Sequence, residues 1–159
     1  MLIKLISPLE IKLKKKKGYD KICLCDPCIR AAWLQEPIPL DPVELAKAPH
    51  QADLAGRLAE SVAGYFLSSI PGADLFHFPE RSEVEPEVDY VLTIGDRRIP
   101  VEIKYQSQIN ETDTRNLRLF LERTVNNATF GILVTKTDDI HLRDPRIITM
   151  PLSTLLMLK

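Results

Sequence analysis

The chain has little with which to staple, anchor or export itself. Cysteine occurs only three times in 159 residues, at Cys23, Cys25 and Cys28. An odd set crowded into one short stretch excludes a disulfide framework. The C-x-C-x-x-C spacing invites a metal or iron–sulfur reading, but such sites usually take four ligands and no fourth cysteine exists. His50 would have to complete the set through folding. The plainer expectation is a partly buried strand and turn carrying reduced thiols. No apolar run approaches the roughly 20 residues of a membrane helix, so no membrane partner is expected. Met1 to Pro8 is too short and broken for a secretory core, which makes the cytoplasm the expected location. Charge of either sign is not in excess, the formal net charge being −1. That balance denies the chain a basic footprint as a whole, but a local patch with a metal would need none.

What is present suits one globular domain with a real core. Hydrophobic residues make up 45% and charged residues 27%. Residues 1–51 read as an N-terminal extension. It holds an alternating stretch from Ile3, a lysine run at Lys14–Lys17, a strand over Tyr19–Cys25, a short helix over 28–35 and a proline-punctuated connector. Residues 52–159 read as the core. Asp53 to Ser68 is the clearest helix, with Asp53 as N-cap. Leu54, Leu58, Val62 and Phe66 share one face, and Gly56, Glu60, Ala63 and Leu67 another. Strands are expected over Asp74–Pro79, Glu87–Ile94 and Arg98–Tyr105, the last two as a hairpin through Gly95-Asp96. A helix capped by Thr112 or Asp113 runs to about Thr124, and a buried strand follows over Phe130–Thr135. Short strands at Ile140-His141 and Arg146–Met150 and a helix over Pro151–Leu158 close the chain. The order α-β-β-β-α-β predicts an α/β fold with a mixed sheet flanked by helices.

The hairpin holds the chemistry. Side chains on a strand alternate faces, so Asp89 points opposite to Val88, Tyr90 and Leu92. Glu102 and Lys104 likewise share a face opposite Val101, Ile103 and Tyr105. Each strand then has an apolar face and a charged face, and pairing brings Asp89 near Glu102. Two carboxylates a few ångströms apart repel unless a cation joins them, and oxygen ligands suit Mg²⁺ or Mn²⁺. Such an ion can bind a phosphate oxygen and lower the pKa of a water, while Lys104 positions or deprotonates the water. Glu60, from the preceding helix, can reach the same cluster. Gln106 follows as a water or phosphate contact. Arg115, Arg118 and Arg123 line the polar side of the 113–124 helix, where Arg115 and Arg118 are candidate phosphate contacts.

Glu87-Val-Asp89 followed by Val101-Glu-Ile-Lys104 resembles the PD-(D/E)XK, restriction-endonuclease-like superfamily, with Val88 in place of its proline. The resemblance implies metal ligands at Glu60, Asp89 and Glu102, a water-activating Lys104, and DNA as substrate. A closer likeness runs through Tyr19-Asp-Lys-Ile-Cys-Leu-Cys-Asp-Pro-Cys-Ile-Arg30, Gly56-Arg-Leu-Ala-Glu60, Glu87–Leu92 and Ile99–Tyr105. Together these resemble the C-terminal domain of unknown function of prokaryotic AAA-type ATPases. Cys28 replaces that segment's glycine, and no G-x-x-x-x-G-K-[ST] occurs. This likeness implies either a nuclease or a non-catalytic DNA- or protein-interaction module. An ATPase and a second copy of the chain are further partners it leaves open.

Overall fold

The computed structural model describes residues 3–10, 19–35, 42–48, 51–79, 87–106 and 108–158, and among these it has seven strands and five helices. The lysine run Lys14–Lys17, His50 and three of the connector's prolines (Pro37, Pro39 and Pro49) lie outside the described residues. Strands β1 (Ile3–Ile6) and β2 (Lys21–Leu24) pair antiparallel as a separate ribbon. Helix α1 (Pro27–Leu34) follows, its first turn capped by the Asp26 carboxylate, which accepts from the Cys28 N–H at 2.8 Å. After α2 (Pro42–Ala46) comes α3 (Ala52–Leu67), then β3 (Asp74–Phe78), β4 (Val88–Ile94) and β5 (Arg97–Lys104). A 3₁₀ turn at Glu111–Thr114 leads into α4 (Arg115–Glu122), then β6 (Gly131–Thr135), β7 (Ile147–Pro151) and α5 (Leu152–Leu155).

The fold is α/β, with the expected α-β-β-β-α-β order spanning α3 to β6. The five-stranded sheet runs β3-β4-β5-β6-β7, antiparallel through β5 and parallel from β5 to β7. Helix α4 is the crossover that lets β6 return parallel to β5. Gly95, at φ +62°, makes the tight β4–β5 turn that a side chain would strain.

Two apolar layers sandwich the sheet. Ala59, Ala63 and Leu67 of α3 pack on Tyr90, Val101, Ile103 and Val134. Leu117, Phe120 and Leu121 of α4 pack on Val88, Val91 and Leu133, with Phe78 edge-on to Phe120 at 5.2 Å between ring centroids. Ile6 and Cys23 of the ribbon belong to the α3 layer, so its contacts cross the expected boundary at residue 51.

Several local expectations change. The buried side of α3 is its small-residue row, Ala55, Ala59, Ala63 and Gly64, ending at Leu67. Leu54, Leu58, Val62 and Phe66 are only half-buried. Small side chains let the helix axis approach the sheet, which outweighs the larger apolar face. Asp53 sits inside the helix, behind Gln51, which holds the N-cap position without a capping bond from its side chain. The cap before α4 is Asn110, whose side chain accepts from the Thr112 N–H while Asp113 accepts from the Asn110 N–H. Ile140 and His141 form no strand. The Ile140 backbone instead donates to the Asp138 carbonyl and accepts from the Thr149 hydroxyl.

Candidate functional site

The site forms where the β4–β5 ladder stops. The last register pair is Tyr90 with Val101. Beyond it the Asp89 side chain replaces a backbone acceptor, its Oδ2 taking the Ile103 N–H at 2.8 Å. A register irregularity between β3 and β4 falls at this same point. It places Val88 in the α4 layer and Tyr90 in the α3 layer. Strict alternation had put Val88 and Tyr90 together; the irregularity separates them and leaves Asp89 at the strand's twist.

Glu102 and Lys104 share a face of β5, as alternation predicts, and pair at 3.0 Å between Nζ and Oε1. That face is not solvated. Glu102 is 5% exposed, because α4 covers the side that the sequence left open. Its second oxygen, Oε2, is buried and has no hydrogen-bond partner. Orphaned buried carboxylate oxygens are rare and costly, so this one calls for a missing partner.

A cavity of about 400 Å³ opens beside this point, lined by Glu60, Asp89, Lys104, Gln106 and Arg57 among others. Glu102 is not part of that lining but pairs with Lys104, which is. Burial, then the Glu102 and Glu60 charges, push the Asp89 carboxyl up to about 8, against the pull of Lys21 and the Ile103 N–H. Burial also raises Glu102, with Lys104 and then the Asp89 backbone opposing. For Lys104 burial works downward, but Glu102 and Asp89 outweigh it and hold the ammonium above the usual lysine value. Both acids thus favour the charged ammonium, a donor and counter-charge at the strand end.

Lys21 is the participant that the sequence reading passed over. Its Nζ lies 2.5 Å from Glu60 Oε1 and 3.8 Å from Asp89 Oδ1, and it donates to the Asp89 carbonyl at 3.4 Å. It also stands 5.0 Å from the centre of the Tyr90 ring. The only sequence cue was its place in the Tyr19–Arg30 segment. A second cavity of about 350 Å³ adjoins the first through Arg57 and Glu60 and adds Arg30 and Ser61 to its lining. Neither arginine was singled out from sequence.

The remaining candidates separate. Gln106 is at the cavity and donates to Asp113 Oδ2 at 3.2 Å. Arg118 is bound into the 3₁₀ turn by Glu111 Oε2, Thr114 Oγ1 and the Glu111 carbonyl, at 2.7–2.8 Å. Arg115 is exposed on the same helix. Cys23 is buried with Sγ 3.2 Å from the Tyr90 hydroxyl, whereas Cys25 is half-buried and Cys28 exposed. His77 is a satisfied strand histidine, its Nε2 3.0 Å from the Tyr19 carbonyl.

The carboxylates of Asp89 and Glu102 are hard oxygen donors of the type a divalent ion takes, and the second Glu102 oxygen is unpartnered. Glu60 is engaged by Lys21. Among the described residues no three His, Cys, Asp or Glu side chains already form a metal-holding group, and no helix is long and apolar enough to cross a membrane. No curated protein and no solved structure matches the chain. The family DUF4143, "Domain of unknown function (DUF4143)", matches residues 55–155, more than half of the chain, from the first turn of α3 to the end of α5, and the protein belongs to that family.

Proposed function

We propose that the chain is a divalent-metal-dependent nuclease of the PD-(D/E)XK type, hydrolysing phosphodiester bonds in DNA. One observation carries this reading: the buried, unpartnered Glu102 Oε2 lies on the same strand end as Lys104 and across from Asp89, and Lys104 and Asp89 line an open polar cavity. Mg²⁺ or Mn²⁺ held by Asp89 and Glu102, with Glu60 as a further ligand, would polarise a phosphate oxygen and acidify a water. Lys104, held charged by Glu102, would donate to the phosphate and stabilise the charge that builds on attack. Arg57 and Arg30 in the adjoining cavity supply positive charge along which a phosphate backbone can lie. Membership of DUF4143, a domain typical of AAA-ATPase C-terminal regions, agrees with the sequence likeness and makes an ATPase a natural partner.

The test is incubation with supercoiled and branched DNA in Mg²⁺ or Mn²⁺. The reading expects cleavage that EDTA abolishes and that Glu102→Ala and Lys104→Ala each reduce by 100-fold or more, roughly the scale of one charge-stabilising group. Absence of cleavage, or variants as active as the parent, overturns it.

A second reading has its own observation. Lys21 already neutralises Glu60 and Asp89 without a metal. That favours a non-catalytic DNA- or protein-interaction module, for which DNA binding would be unchanged by EDTA and no saturable Mn²⁺ binding would occur.

A further inference from the structure

Lys21 belongs to neither the five-stranded sheet nor the helices that flank it. It comes from the separate ribbon, opposite Ile6 in register. Ile6 and Cys23 are fully engaged in the α3 layer, so the ribbon is anchored on either side of Lys21 in space and sequence. The side chain is only 21% exposed and reaches over the Tyr90 ring to the two acids. Tyr90 in turn donates to the Glu60 carbonyl at 3.0 Å, fixing the turn of α3 that carries Glu60. The ammonium therefore has a built seat, and that seat is among the carboxylates assigned to the metal.

Three carboxylates, Glu60, Asp89 and Glu102, face two ammonium groups, Lys21 and Lys104. Lys104 pairs with Glu102, while Lys21 pairs with Glu60 and approaches Asp89. The second Glu102 oxygen is left without a partner. A divalent ion binding to Asp89 would meet the Lys21 charge a few ångströms away, a repulsion that weakens binding.

We propose that Lys21 is a tethered cation that competes with the divalent ion for Asp89 and Glu60, so that the N-terminal ribbon sets the metal affinity of the site. This rests on the metal-binding reading above. Its consequence is regulatory. Whatever draws the Lys21 ammonium away from Asp89 and Glu60 withdraws the competing charge and strengthens metal binding, and a seated ammonium holds the site in its self-neutralised form.

The experiment is calorimetric titration of Mn²⁺ into the parent chain and into Lys21→Met, Lys21→Gln and Lys21→Arg, with thermal melts of each in EDTA and in Mn²⁺. Removing a unit charge some 4 Å from the ligands is expected to tighten binding roughly tenfold in Lys21→Met and Lys21→Gln. Lys21→Arg keeps the charge and binds as the parent does. In EDTA the two neutral variants melt lower than the parent, and Mn²⁺ raises their melting temperatures by more than it raises the parent's. A purely structural ion pair would lower both melts equally and leave the affinity unchanged, which overturns the proposal. If Lys21→Met does not fold, Lys21→Gln, which can still bond to Glu60, decides. Parent binding with no tightening in the neutral variants defeats the tethered cation alone. No Mn²⁺ binding by any of the four defeats the metal reading and this inference with it.

Discussion

Asp89 is surrounded by groups that act on its charge: Glu102, Glu60 and Lys21 face it, and the Ile103 N–H bonds it. Its folded pKa, about 8, lies above the unfolded carboxylate value, so between roughly pH 4 and 8 the folded chain holds a proton that the unfolded chain releases. This group's contribution to stability is therefore full at low pH and is lost as pH rises through about 8. In EDTA the protein should melt higher at pH 5.5 than at pH 8.5. Asp89→Asn should flatten that difference, and an unchanged pH slope would contradict the assigned environment. Asp89, Glu102 and Lys104 were legible because strand alternation and one tight turn suffice to bring them together. Lys21 was not, since it meets Asp89 across 68 residues and no local period records such a contact.

The elements owe their placement to close approaches as much as to hydrophobic pattern. At Gly64, α3 passes so near β4 and β2 that an added Cβ would fall on the Tyr90 hydroxyl and within 2.7 Å of Cys23 Sγ. Both obstacles are buried and one is a rigid ring, so Gly64→Ala should cost about 1–3 kcal/mol by denaturant unfolding, despite alanine's better helix propensity. A neutral or stabilising result would mean that α3 can lift from the sheet. Tyr90→Phe should cost about 1 kcal/mol, since it removes the hydroxyl's bond to the partly buried Glu60 carbonyl. The same crowding explains what the sequence hid about α3. Periodicity shows two candidate faces and favours the larger residues, whereas the sheet selects the face that fits closest. It likewise explains Glu102, which reads as half of a solvated polar face until α4 is seen lying over it. The order of elements from α3 to β6, in contrast, was legible, because α3, β4, β5 and α4 are long enough to show their period.

At the scale of the molecule, the family match begins at residue 55, yet the ribbon before it supplies core residues and the Lys21 charge. Deleting residues 1–26 should uncover the α3 layer and abolish the cooperative thermal transition. A truncated chain that still melts sharply would show that the ribbon is an ornament. The expected division at residue 51 came from composition, the proline-rich connector marking a break that the packing of Ile6 and Cys23 bridges. Whether one ion joins the acids of β4 and β5 is the central question, and Mn²⁺ titration of the parent against Glu102→Gln answers it most directly. The account predicts one saturable site per chain in the parent and at least roughly tenfold weaker binding when the orphaned oxygen is replaced by an amide; equal binding by the two, or none by the parent, would contradict it.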